Sequence, residues 1–234
     1  MNFQGKAMRL DDIDLPRIGA QIGVGEDEIH AVLDVETRGG GFDKLGRPKM
    51  LFEPHIFYRE LEGEQRQKAV AQGLAYKIWG TRKYPKDSYD LLRRAMLINP
   101  DAALRSCSWG LGQIMGFNHK LAGYSNVASM VSAFLDDEET HLAAMVKFIE
   151  ASGLDGHLRN HDWRGFASGY NGPGYAKHGY HLKLARAYAK WSKIPDTPFV
   201  IDRTPPPATE PVQTFIERLI EALQILFASS KVQS

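Results

Sequence analysis

The chain has 234 residues, of which 43% are hydrophobic and 24% charged, the composition of a soluble globular protein with one main core and room for an appendage. Its 29 basic and 28 acidic residues leave a formal net charge of +1, which excludes the single-sign field needed to hold nucleic acid, so no nucleic-acid partner is expected. Cys107 is the lone cysteine, which excludes an intramolecular disulfide framework, and no apolar run reaches the ~18 residues of a membrane-spanning helix.

Met1 to Pro16 has no basic stretch leading into an apolar core and a small-residue cleavage site, so no secretory signal is read there. Glu26 to Thr37 reads as a helix, with Glu26, Asp27 and Glu28 in its first turn, where the helix dipole favours negative charge. Ile29, Val32 and Leu33 set its inward face. Glu36 lies seven residues after Ile29, four after Val32 and three after Leu33, so the 3.6-residue period puts it on that same face. A carboxylate therefore ends an apolar stripe just before Gly39-Gly40-Gly41 stops the helix. Desolvation raises a carboxyl pKa toward what a general acid needs near neutral pH, and the glycines leave room for a sugar to approach the backbone. The competing reading is a terminal-turn glutamate that curls into solvent or pairs with Arg38.

Gly39 to Glu53 combines three glycines, a Gly46-Arg47-Pro48 turn signal and the apolar run Met50 to Phe52, which fits a small hairpin or irregular β segment. Helical spacing then dominates: Leu91, Leu92, Ala95 and Met96; Leu142, Met145, Val146 and Ile149; Leu182, Leu184, Ala185 and Tyr188. Between these lies Ser106 to Gly116, glycine-rich around Trp109 and Gln113. Its small residues are expected to let a helix approach another backbone, Trp109 to offer a stacking face and Gln113 an amide for hydroxyl or N-acetyl groups. The plain alternative is tight packing with Trp109 in the core. In Phe166 to Tyr175, a helix bearing Phe166 and Tyr170 ends in Asn171-Gly172-Pro173-Gly174, a stop expected to expose Tyr170 and Asn171.

Ile194 to Pro211 holds six prolines and reads as an extended linker. After it, Val212, Phe215, Ile216, Leu219, Ile220, Leu223, Leu226 and Phe227 form the apolar face of a helix whose other side carries Glu217, Arg218 and Glu221. The expected organisation is a catalytic domain over 8–194, a linker over 195–211 and a C-terminal amphipathic helix over 212–229. That helix is expected to bury its stripe by self-association or docking, or by contact with a membrane.

Taken in order, Glu36-Thr37-Arg38-Gly39, Gly110-Leu111-Gly112-Gln113-Ile114 and Tyr170-Asn171-Gly172 resemble the lysozyme and lytic-transglycosylase superfamily, with its Glu-Ser-x-Gly, Gly-Leu-x-Gln-Ile and Tyr-Asn-x-Gly segments. More narrowly, Gly41-Phe42, Gly46-Arg47-Pro48, Leu51 to Phe57, Ala103 to Ser106, Ser108-Trp109-Gly110 and Gly179 to Tyr188 resemble the phage endolysin N-acetylmuramidase family, over roughly Leu15 to Trp191. The resemblance implies a mainly α, lysozyme-like α+β fold with a small β-hairpin region beside a cleft. It implies a bacteriolytic glycosidase that cuts peptidoglycan glycan strands, is made in the host cytoplasm without a signal peptide and acts on the wall after release. It carries Glu36 over as the catalytic acid and Gln113, Tyr170 and Asn171 as cleft groups, with no cofactor or metal. Two departures stand out: Thr37 replaces the commoner Ser, and no wall-binding domain precedes the catalytic one, which leaves targeting to the cleft or the tail.

A glycosidase normally needs a second carboxylate, at ~5 Å from the first in a retaining enzyme or ~6.5–9.5 Å in an inverting one. Glu53, directly after Met50-Leu51-Phe52, is the first candidate and Asp43 its rival; the structural alternative for Glu53 is a cap on the helix that Pro54 opens. Two other outcomes stay open: a lytic transglycosylase that gives anhydro-muramic products, and a non-catalytic wall-binding or phage structural module. A zinc amidase is disfavoured, since no His-Glu-x-x-His occurs and His178 with His181 has no evident third ligand. Cys107 in a packed segment reads as a small buried hydrophobe rather than a nucleophile.

Overall fold

The computed structural model describes residues 2–37 and 39–198. Arg38, the linker beyond Pro198 and the expected helix over 212–229 lie outside the described residues, with the expectations that rest on them. Twelve helices and three short strands follow one another in the described part: α1 Asp14–Gly19, α2 Glu26–Glu36, β1 Met50–Phe52, α3 Pro54–Glu60, α4 Gly63–Ala71, α5 Tyr89–Met96, α6 Pro100–Arg105, β2 Cys107–Trp109, β3 Ile114–Met115, α7 Val127–Phe134, α8 Glu138–Ala151, α9 Asp155–Arg159, α10 Trp163–Asn171, α11 Tyr175–His178 and α12 Tyr180–Trp191. The fold is mainly α with one small antiparallel sheet, as expected.

Two apolar clusters organise these elements. One gathers Ile18 of α1, Ile29, Val32 and Leu33 of α2, Leu142, Met145, Val146 and Ile149 of α8, Phe166 of α10 and Leu184 of α12; we call it the acid lobe. The other gathers Phe52, Phe57, Leu92, Ala103, Cys107, Trp109, Met130 and Phe134 around the sheet; it is the sheet lobe. The apolar spacings of α2, α5 and α8 therefore mark their buried faces. In α12 the buried positions are Leu184 and Ala187, while Leu182 is 53% exposed, because the helix presents a different edge to α2.

Helix α2 is fixed at both ends and along one side. The Glu28 carboxylate folds back to accept the Gly25 N–H at 2.9 Å, satisfying a donor that the first turn leaves orphaned. At the other end Thr37 has extended backbone, and both its N–H and its hydroxyl donate to the Leu33 carbonyl. Burying side chains such as Ile29 and Val32 contributes about 1.5–3 kcal/mol each. From the C-terminal side α12 clamps α2: Trp191 stacks on His30 with centroids 3.7 Å apart, and its indole N–H and Lys190 both donate to Asp34, at 2.9 and 3.1 Å.

The β region takes the irregular form of the two expected, rather than a local hairpin. Met50–Phe52 does not pair within the 39–53 segment; it pairs antiparallel with β2, Met50 opposite Trp109 and Phe52 opposite Cys107, and β2 pairs in turn with β3. The segment before it closes only one bridge, Phe42 to Pro48, because the Asp43 carboxylate takes up the N–H groups of Leu45 and Arg47 in a tight turn. Ser106 to Gly116, expected to bring a helix close to another backbone, is instead the β2–β3 hairpin packed on α8. Its turn needs the left-handed backbone of Gly110, where φ is +67° and a Cβ would lie 2.8 Å from the ring of His141.

Candidate active site

Glu36 stands at the last position of α2, where the helix ends in the wall of a cavity of about 480 Å3. Glu36, Thr37, Gly39 and Gly40 form one side, Lys49, Met50 and Leu51 of the sheet lobe another, and Gly110, Leu111 and Gln113 of the hairpin turn a third. Burial pushes the Glu36 carboxyl above its ordinary value; the hydrogen bond from Asn171 and the charge of Lys183 oppose this. The Asn171 Nδ2 group donates to Glu36 Oε1 at 2.8 Å, and this bond fixes one oxygen of a carboxyl that lines the cavity. The solvated alternative for Glu36 therefore does not describe this chain; its partnership with Arg38 lies outside the described residues.

The structure brings Glu36, Gln113, Tyr170 and Asn171 together, sets Glu53 behind Tyr84 and separates Trp109 and Asp43. Tyr170 is half-buried rather than surface-exposed, stacked on Phe166 and edge-on to Phe148, and its hydroxyl donates to the Gly112 carbonyl at 3.1 Å, so it ties α10 to the hairpin turn. Gln113 is exposed at the cavity in left-handed backbone, φ +49°; its Nε2 donates to the Gly110 carbonyl at 2.9 Å and its Oε1 accepts from Ser108 at 2.9 Å. Trp109 is a correction. It is 0% exposed and its indole donates to the Leu104 carbonyl at 3.0 Å, so it offers no face to a ligand. β2 is the central strand of the sheet, and position 109 points into the sheet-lobe core. The glycine run is also not an open approach for a sugar along its length: a Cβ on Gly41 would lie 2.3 Å from His141, and one on Gly40 2.1 Å from Arg9.

Glu53 precedes α3 without capping it, since its side chain bonds none of that helix's first amides. Instead its Oε2 accepts from the Tyr84 hydroxyl and lies 3.2 Å from His55 Nδ1. Tyr84 lines the cavity, so Glu53 reaches it through that phenol. Burial, then the bond to Glu53, push the Tyr84 phenol up, and it stays a donor. Asp43 is a correction in the other sense: both oxygens serve its own turn and Arg47, which spans it and Asp87, and it does not line the cavity.

A model of the N-acetylmuramidase family matches residues 26–192, from the first turn of α2 through α12. The chain belongs to the N-acetylmuramidase family. A crystal structure of Burkholderia AP3 phage endolysin is similar to it with a TM-score of 0.73 and 36% identity, over 79% of this chain and 72% of that one. No curated protein matches the chain.

Within this N-acetylmuramidase fold, the residues that sequence reasoning missed are those that hold the cavity from behind. His141 on α8 is fully buried; its Nδ1 accepts the Leu111 N–H at 3.3 Å while Nε2 faces the Phe134 carbonyl at 2.7 Å, so one tautomer serves both. Burial holds it neutral down to about 4. Glu138, also buried, accepts the Gly41 N–H and the Arg9 guanidinium and so pins the strand of glycines that leaves α2. No motif announced either residue, because each acts on backbone far along the chain, 30 positions away in one case and 97 in the other. Cys107 is buried, its thiol pushed well up by desolvation. Among the described residues, no group of three His, Cys, Asp or Glu side chains gathers as a metal centre.

Proposed function

We propose that this chain is a peptidoglycan glycosidase that cleaves the β-1,4 bond between N-acetylmuramic acid and N-acetylglucosamine, with Glu36 as the proton donor, and that it degrades the wall after release from the cytoplasm in which it is made. The observation that carries this reading is the raised carboxyl of Glu36 at the end of a buried helix face, one oxygen fixed by Asn171, opening on a cavity large enough for a sugar. Glu36 donates its proton to the glycosidic oxygen as the C1–O bond breaks, and the bonding pair leaves with the departing sugar. The positive charge that develops at C1 is then met by a water oxygen, with Glu53 acting through Tyr84 to stabilise or orient it, and the water proton returns to Glu36. Gln113 offers the remaining capacity of its amide to the sugar's polar groups, while Asn171 sets the position of the acid and Tyr170 ties the helix that bears Asn171 to the hairpin turn.

One observation favours a second reading. Among the described residues lining the cavity, Glu36 is the sole carboxylate. A lytic transglycosylase needs no more, because the sugar's own hydroxyl attacks C1 and leaves an anhydro product. Mass spectrometry of digested peptidoglycan separates the two: reducing muramic ends mark hydrolysis and anhydro ends mark transglycosylation. The Glu36→Gln variant tests both, since either outcome requires the acid; new ends at wild-type rate from that variant would remove it from the mechanism.

A further inference from the structure

Tyr84 stands between two cavities. That residue lines both the main cavity and a second one of about 210 Å3, which it shares with Pro54, Tyr76, Arg82, Lys83 and Leu91. The stretch 72–86 between α4 and α5 carries Lys77, Arg82, Lys83 and Lys86 and no acidic residue, in a chain whose net charge is only +1. None of these four cations forms a salt bridge with a described residue. At the loop tip Ile78 and Trp79 are 72% and 68% exposed. The loop is nevertheless built: the Thr81 hydroxyl donates to the Ile78 carbonyl at 2.6 Å, and the Arg82 guanidinium lies over Gly73, where a Cβ would come within 2.7 Å of it.

We propose that this second cavity binds the anionic peptide stem borne by the N-acetylmuramic acid of peptidoglycan, with Arg82 and Lys83 on a stem carboxylate and Trp79 with Ile78 along its aliphatic part. The inference rests on the glycan reading of the Glu36 cavity. A muramic residue placed there must send its stem out of the cleft, and the wall it passes is Tyr84, beyond which the two cations stand. Arginine meets a carboxylate with its planar fork and lysine as a point charge, and both gain where aromatic walls reduce the water around them. The exposed apolar tip is a poor surface to leave wet, and a peptide's aliphatic atoms cover it.

The test uses the full chain carrying Glu36→Gln, which binds without turnover, and two labelled probes: uncross-linked glycan strands with stems, and the same strands stripped by an amidase. Fluorescence anisotropy should show about tenfold tighter binding of the stem-bearing strands. Adding Arg82→Ala and Lys83→Ala should abolish that preference and leave affinity for stripped strands unchanged, while Arg82→Lys keeps part of it. The preference should narrow as salt is raised. Equal affinity of the Glu36→Gln chain for both strands, or an equal loss on both from the double substitution, overturns the proposal. The wild-type chain, assayed on the same strands, keeps the two readings apart. New muramic ends formed at equal rates with and without stems discard the stem site alone, whereas no new ends from either strand discards the glycosidase reading with it.

Discussion

The two lobes that meet at the cleft treat their functional groups in opposite ways. The acid lobe buries Glu36 at the end of a helix clamped by α12 and holds it by Asn171 from α10. The sheet lobe leaves more of its contribution exposed: the cations at 82 and 83 and Trp79. The proposed function accounts for the difference: a general acid needs a wall that keeps its proton, and packing supplies one, whereas recognition of a charged polymer needs groups that remain accessible until it arrives. The sheet lobe repeats the contrast internally, with Trp109 at 0% exposure in its core and Trp79 at 68% on its loop.

The largest effect expected from breaking this division is at the acid. Glu36→Gln should lower kcat by roughly 10²–10⁴-fold with the fold intact, measured by release of muramic ends and circular dichroism. Glu53→Gln should cost somewhat less, roughly 10²-fold at most, and should do so without lowering Tm, since Glu53 makes no capping bond; a fall in Tm with unchanged turnover would return it to a structural role. The two tryptophans sharpen the comparison. Trp109→Ala should destabilise the protein by about 3–5 kcal/mol in denaturant unfolding, whereas Trp79→Ala should stay within about 0.5 kcal/mol of wild type and weaken binding of stem-bearing strands.

The pH dependences also fall on opposite signs. Glu36 is held above its ordinary value, so folding is penalised by this group as pH rises and not at acid pH, where the carboxyl is protonated in both states. Glu36→Gln should therefore have a higher Tm than wild type near neutral pH, a gain that vanishes below the ordinary carboxylate range. His141 is held neutral down to about 4, below its ordinary 6.5, so wild-type stability should fall as pH drops between those values while the unfolded chain takes a proton that the folded one refuses. Asn171→Ala removes a bond that lowers the Glu36 value and should move the alkaline limb of kcat/KM upward, because the acid stays protonated to higher pH. The smallest effect is expected from the tail: truncation after Pro198 keeps the Thr197 N–H on Glu26 and should leave cleavage of isolated peptidoglycan intact while changing the solution mass.

The acid lobe was legible because its information is local. The spacing of Ile29, Val32, Leu33 and Glu36 is a property of one helix, and the stop at Asn171-Gly172 a property of another. The sheet lobe was read less well because its information is relational. Met50 to Phe52 has the composition of a strand but names no partner, and its partner lies more than fifty residues on. Trp109 and Gln113 stand four residues apart in one hairpin, yet strand alternation and a left-handed turn send one to the core and the other to the cavity. Trp79 lay in a stretch with no periodicity, where the one available signal was the run of cations without a counter-charge.

The bond between Asn171 and Glu36 joins positions 135 residues apart, and the clamp of Trp191 on Asp34 spans 157. Glu36 therefore emerges from the ribosome well before the groups that fix it: the bond from Asn171 has no donor until 135 further residues have been made, and the Trp191 clamp on its helix waits longer still.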